Sequence, residues 1–162
     1  MINKWNLWKH LLRINLLNNI DEYIFDRGQI SESIIVRVYY EDTDAGGIVY
    51  YANYLKFAER GRTELIRSIM ELQSNKQTSE KINFVVQKCN LEYDKPARLD
   101  DLIEVKTEIS LVKGSVIEML QFIISEETIL VKIFIKLVCI NSEGRPVRIP
   151  KYLQKSCLNL IN

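Results

Sequence analysis

Hydrophobic and polar residues alternate along this chain in two periods. Ser33 to Tyr40 is mostly β-branched or aromatic and reads as a strand. It runs into Glu41-Asp42-Thr43-Asp44-Ala45-Gly46-Gly47, where adjacent glycines mark a tight turn or a close backbone approach. From Tyr54 the apolar or small positions Phe57, Ala58, Gly61, Leu65, Ile69 and Leu72 recur at three and four, one face of a helix. Lys56, Glu59, Arg60, Arg62, Glu64 and Arg67 fill the other side, with Glu59/Arg62 and Arg60/Glu64 spaced for surface pairs worth a few tenths of a kcal/mol each. Gly61 costs ~1 kcal/mol relative to alanine in a helix, so its place on the apolar face predicts close contact between helix and sheet. After a polar stretch over 73–81, four more strands are predicted: Ile82 to Tyr93, Asp101 to Lys113, Ser115 to Ser125 and Ile129 to Asn141. The last is almost continuously apolar, as for a strand covered on both faces. Asp94-Lys95-Pro96 and Gly114 are the turns, and the tail from Gly144, with Pro146 and Pro150, is expected to leave the sheet.

Strand, long helix, then four strands is an α+β order, a mostly antiparallel sheet with one helix packed on it. A single helix covers only part of one sheet face, so the remaining apolar surface calls for a second copy. The 162 residues divide into an extension over 1–32, a packed domain over 33–155 and a short tail over 156–162. Apolar residues make up 47% and charged residues 27%, with a formal charge of +1, so the basic surplus that nucleic acid requires is missing. Cys89, Cys139 and Cys157 are odd in number and lack C-x-x-C spacing, which points to a reducing, cytoplasmic setting and away from disulfides or zinc. Cys89 and Cys139 lie in apolar runs and read as core residues.

The extension is basic, with Lys4, Lys9 and Arg13, and Trp5, Trp8, Leu12 and Leu16 form a stripe at helical spacing. Such a stripe suits peripheral contact with an anionic membrane surface, the inner face of the inner membrane. The plainer reading, preferred here, is an extension outside the packed domain. It lacks the long apolar region and cleavage site of a secretory signal.

Candidate chemistry gathers in Tyr40 to Tyr54, YEDTDAGGIVYYANY. Asp42 and Asp44 precede a helix start, where unpaired N–H groups and a partial positive charge suit an oxyanion. A carboxylate beside them can act as nucleophile or general base. An Asp-x-Asp before a helix is more often a turn and a cap than a catalytic pair. Other chemistries have less support. The only histidine is His10, which leaves no Ser–His–Asp set and no H-E-x-x-H, and Gly46-Gly47 is neither a P-loop nor G-x-G-x-x-G.

The runs VRVYYEDTDAGGIVYYANYLKFAERGRTE and FVVQKCNLEYDKPARLDDLIEV resemble the 4-hydroxybenzoyl-CoA thioesterase-like branch of hotdog proteins. Within it they are most similar to the acyl-CoA thioesterases associated with the Tol–Pal envelope system of Gram-negative bacteria. The resemblance runs from about Val36 to about Leu153. It implies a central helix wrapped by a curved antiparallel sheet of about five strands, paired into homodimers or homotetramers with active sites at the subunit interface. It implies hydrolysis of acyl-CoA, with acyl carrier protein as a further partner and no metal or organic cofactor. The family's catalytic aspartate matches Asp44, and its backbone oxyanion donor falls on Tyr51. Asp42, Gly46, Gly47, Val49, Tyr50 and Tyr54 are then assigned to the substrate side of the site. Many Tol–Pal-associated members carry His where this chain has Tyr51, and tyrosine, with a pKa near ~10, is a poor base at neutral pH. Two rival readings stand beside the hydrolase. A hotdog hydratase would pair His with an acid, and no His follows residue 10. A non-catalytic module would bind acyl-CoA or acyl carrier protein at the cell envelope. Arg98 and Lys95 beside Pro96 read as solvated surface.

Overall fold

A computed structural model describes residues 32–71 and 82–159. The strands are β1 (Glu32–Arg37), β2 (Asn83–Tyr93), β3 (Leu102–Lys113), β4 (Val116–Ser125) and β5 (Thr128–Ile140). The helices are α1 (Asn53–Glu71) and α2 (Lys151–Asn159), with a 3-10 turn at Tyr40–Asp42. All strands join one sheet in the order β1-β3-β4-β5-β2, with every neighbouring pair antiparallel. The expected α+β hotdog architecture is present. The extension over 1–31 and the polar stretch over 72–81 lie outside the described residues.

Hairpins close β3 to β4 at Gly114 and β4 to β5 at Glu126–Glu127, and Gly114 takes the left-handed conformation at φ 63°. β2 crosses to the far edge beside β5, so α1 lies under the strands it precedes and follows. Buried residues form two clusters on the α1 side of the sheet. One joins Tyr54, Phe57 and Ala58 to Val36, Ile103, Val105, Ile123 and Ile133. The other joins Leu65 and Ile69 to Ile109, Ile117, Met119, Ile135 and Cys139.

Gly61 has the predicted role. A Cβ there would lie 2.9 Å from both Thr107 Oγ1 and Val105 Cγ1. The surface-pair expectation for Arg62 is corrected. Its side chain is buried at 4% exposure and donates Nη1 to Gln121 Oε1 at 2.7 Å, while Nη2 reaches out to Glu59. Gln121 Nε2 in turn donates to Ala58 O at 2.8 Å and to Thr107 Oγ1 at 2.9 Å. Helical spacing placed Arg62 on the polar side, but its guanidinium reaches the buried Gln121 amide on β4. Glu64 pairs with Arg67 at 2.6 Å rather than with Arg60, which lies over the Phe57 ring.

Two further differences come from turns. β1 ends at Arg37, short of Tyr40, because Asp42 accepts the Tyr39 N–H at 2.9 Å and bends the chain into the 3-10 turn. The tail does leave the sheet after a bridge between Ile140 and Pro146, but it folds back as α2. Leu153 and Cys157 of α2 are 1% exposed and join the Leu65–Ile69 cluster, so packing continues past position 155. Burial pushes the Cys157 thiol up to about 11. Cys139 is fully buried, and burial also raises the half-buried Cys89 thiol, against a lowering from nearby Arg62.

Candidate active site

The turn between β1 and α1 is built by short-range bonds. Thr43 and Val49 form an antiparallel bridge, and the Asp44 N–H donates to Ile48 O at 2.9 Å. The Gly47 N–H returns to Asp44 O at 3.0 Å, with Gly47 at φ 72°, a conformation costly for any residue with a Cβ. Asp44 Oδ1 accepts the Gly46 N–H at 2.8 Å. A Cβ on Gly46 would sit 3.1 Å from that oxygen, so glycine leaves room for the carboxylate. Asp44 is exposed, and among the described residues this is its only side-chain hydrogen bond.

The other acid is placed differently. Asp42 is 5% exposed and its carboxylate is spent on Tyr39. Its carbonyl accepts the Tyr50 N–H at 2.8 Å and Asn53 Nδ2 at 2.9 Å. Asp42 thus ties the loop to the first residue of α1. Asn53, 6% exposed, was not singled out in the sequence, although it stands in the YANY run. Its signal is a polar residue at a helix start, a common capping position.

Beyond this tie, the chain enters α1 through Tyr51 and Ala52. Among the described residues the N–H groups of both have no acceptor. These free donors sit at the positive end of a helix of 19 residues. Tyr50 and Tyr51 are exposed at 44% and 61%, their rings 4.6 Å apart, and the Tyr50 hydroxyl is raised chiefly by its hydrogen bond with Tyr51. Tyr93 at the end of β2 donates its hydroxyl to Tyr51 O at 3.2 Å.

Val49 and Tyr54, assigned to the substrate side, are both 2% exposed and belong to the core. The Val49 N–H donates to Ala97 O at 2.9 Å, and the Tyr54 hydroxyl accepts the Ala97 N–H at 2.8 Å. Burial raises that hydroxyl, with the Ala97 N–H pulling the other way. Together these two residues clamp the β2–β3 connection, the KPARLDD run, against the Asp44 loop. Ile48 bridges Arg98, and the Arg98 N–H is held by Asp101 Oδ2 at 2.7 Å. A groove of about 650 Å³ at the far end of β3, lined by Ile82, Gly114, Ile149 and Lys151, shares no residue with this loop.

The exposed Asp44, the free helix amides and the two glycines are therefore brought to one turn. Its supporting residues are those of the second run that the sequence reading quoted. The profile of the thioesterase-like superfamily matches residues 38–156 of the chain. The chain belongs to the thioesterase-like superfamily. Its match to the acyl-CoA thioester hydrolase YbgC of Escherichia coli O6:H1 is 43% identical over 118 residues, covering 72% of this chain and 87% of that protein. An acyl-CoA thioesterase YbgC of Haemophilus influenzae is 43% identical over 120 residues, covering 74% and 88%. The crystal structure of a probable thioesterase from Bartonella henselae superposes with a TM-score of 0.68 at 38% identity, covering 75% of this chain and all of that one. Thioester hydrolysis is the chemistry of the family, and the resemblance drawn from the DTDAGG and PARLDD runs holds at that level. Among the described residues no helix is long and apolar enough to cross a membrane.

Proposed function

We propose that this chain hydrolyses acyl-CoA to free acid and CoA, with the Asp44 carboxylate as nucleophile or general base and the Tyr51 N–H as oxyanion donor. The observation that carries the reading is the single turn that presents both parts. Asp44 is steered by Gly46, and seven residues after Asp44 the chain exposes, among the described residues, the unpaired amides of Tyr51 and Ala52 at the start of α1. In the covalent form, an Asp44 oxygen attacks the thioester carbon and the C–S bond breaks. The CoA thiolate leaves and takes a proton, and water then cleaves the mixed anhydride to restore Asp44. In the general-base form, Asp44 takes a proton from the attacking water and later returns it to the sulfur. Either way the carbonyl oxygen gains charge, which fixed amides stabilise without reorganising. The Tyr51 side chain serves as a wall and its backbone does the chemistry.

An exposed carboxylate is not yet a water-excluded site. Among the described residues β2 is an edge strand, and it carries Val85 and Val86 at 41% and 50% exposure, beside Tyr93 at 48%. An unpaired apolar edge is a template for a second strand. Pairing of two copies through β2 would cover it and wall the Tyr50–Tyr51–Tyr93 surface, which supports a homodimeric site. Offered a panel of short, long and aromatic acyl-CoAs with free thiol followed, the protein should turn over at least one. Asp44→Asn should lose ~10²–10⁴-fold in rate. Unchanged turnover in that variant refutes the assignment, and no turnover on any thioester favours a binding module. Single turnover in ¹⁸O-water separates the two forms, because only the anhydride route leaves label in Asp44.

A further inference from the structure

The chain enters α1 as a run of peptide units, each held by a different bond. The Tyr50 N–H is fixed by Asp42 O at 2.8 Å. Tyr50 O accepts the Asn53 N–H at 2.8 Å, which fixes the peptide that carries the Tyr51 N–H. Ala52 O accepts the Leu55 N–H at 3.2 Å. All of these partners lie within residues 42–55. The peptide between Tyr51 and Ala52 is held in another way. The Leu55 N–H turns to Ala52 O, and among the described residues no backbone N–H reaches Tyr51 O. Its donor is the Tyr93 hydroxyl at 3.2 Å, from a residue forty-two positions away. A trans peptide is planar, with its C=O and N–H pointing in opposite directions. Holding Tyr51 O therefore aims the Ala52 N–H, one of the two amides of this turn that have no acceptor among the described residues.

Tyr93 has a firm base from which to hold it. It is the last residue of β2 and pairs with Val131. Just beyond it the Asp94 and Lys95 N–H groups both donate to Leu130 O, at 2.8 and 3.1 Å. Its ring meets Tyr54 edge-on with centroids 5.8 Å apart, and Tyr54 is buried and fixed to Ala97. The hydroxyl is thus carried by sheet and core, while the amide it aims belongs to the loop. The bond is exposed, so it adds little to stability. We propose, on the oxyanion role given above to the start of α1, that Tyr93 is a positioning residue for thioester hydrolysis. Its hydroxyl sets the peptide plane that presents the Ala52 N–H as a second oxyanion donor beside the Tyr51 N–H. Two amides then share the charge that grows on the carbonyl oxygen, and one aimed in advance stabilises it without reorganising. Without the Tyr93 hydroxyl the second amide is free to turn away, and only the Tyr51 N–H stays fixed.

Tyr93→Phe keeps the ring against Tyr54 and removes only the hydroxyl. With an acyl-CoA that the wild-type chain turns over, kcat should fall about tenfold, as for one donor misdirected rather than lost. KM should stay within about twofold. Affinity for a trifluoromethyl ketone analogue of that acyl-CoA, which mimics the tetrahedral oxyanion, should fall by the same factor as kcat. Affinity for the matching S-alkyl-CoA thioether, which has no carbonyl, should not change. The backbone gives a readout independent of turnover. Ala45, Ala52, Ala58 and Ala97 are the only alanines, so ¹⁵N-alanine labelling resolves the Ala52 amide. Tyr93→Phe should shift that resonance and leave the one from Ala58, inside α1, in place. Wild-type kcat or an unmoved Ala52 resonance overturns the proposal. So does an equal loss of affinity for the thioether, which makes Tyr93 a substrate contact, or loss of the cooperative thermal melt, which makes the hydroxyl structural. With Asp44→Asn inactive, these outcomes sink the role of Tyr93 alone. A wild-type chain that cleaves no thioester, or Asp44→Asn at full rate, sinks the hydrolase reading and this role with it.

Discussion

Replacing Gln121 by Met tests how α1 is fixed to the sheet. Gln121 is fully buried and makes three hydrogen bonds, accepting from Arg62 and donating to Ala58 O and Thr107 Oγ1. Methionine fills nearly the same volume, so cavity formation contributes little. The Arg62 guanidinium keeps Glu59 but loses its other acceptor while 4% exposed, at a cost of about 2 kcal/mol for a charged donor left short. Ala58 O lies within α1 and retains its helical bond. The Thr107 hydroxyl, also 0% exposed, loses its partner, which adds about 1 kcal/mol. The sum, about 3 kcal/mol, is a large part of an ordinary domain's stability. Urea unfolding at fixed protein concentration, followed by circular dichroism, measures it. The decisive comparison is the cycle with Arg62→Met. Each single change leaves buried polar groups unpaired, whereas the double change removes donor and acceptor together. The double variant should therefore be at least 1 kcal/mol more stable than the sum of the singles. Additive costs, or a Gln121→Met cost below about 0.5 kcal/mol, would refute the view that this network holds the helix.

Gly46→Ala should lower kcat about tenfold with little change in unfolding, because its Cβ presses on Asp44 Oδ1 at 3.1 Å; steady-state kinetics beside a thermal melt checks both. Gly61→Ala should destabilise by about 1–2 kcal/mol despite the better helix propensity, since two stiff β-branched side chains would meet the new methyl at 2.9 Å; a gain in denaturant midpoint would contradict it. Tyr54→Phe should cost about 1–3 kcal/mol by orphaning the buried Ala97 N–H, read from the same denaturant curves. The Cys157 thiol is raised from 9.0 to about 11 by burial, so the unfolded chain releases that proton first. Its contribution to stability is complete below pH 9 and declines towards about pH 11. Cys157→Val should remove this component from the pH dependence of unfolding, and identical slopes in the two proteins would count against the assignment.

The elements were legible because each is dictated locally. The three-and-four spacing from Phe57 to Ile69 permits only a helix. The β-branched run over 128–140 reads as a strand, and so does 83–93 with Phe84, Val85 and Val86 at its start and Tyr93 at its end. The adjacent glycines and the acid pair located the turn, since glycine and short carboxylates are what such a loop needs. The same local logic misplaced Arg62, because helical spacing reads a cation as solvent-facing and cannot see the buried acceptor that Gln121, fifty-nine residues away, brings beneath the helix. It missed α2, whose only buried positions are Leu153 and Cys157, too few for a periodic signal. It also treated Asp42 and Asp44 as neighbours of similar kind, when one is buried and spent on Tyr39 and the other is open beside the helix start. Val49 and Tyr54 entered the core only because the β2–β3 connection, more than forty residues away, folds back to meet them at Ala97. Sequence alone thus set the five strands, the long helix and the family, each encoded within a few residues of one another. Which carboxylate stays exposed and which cation is buried depend on contacts between distant segments, and those exist only once the chain has closed on itself.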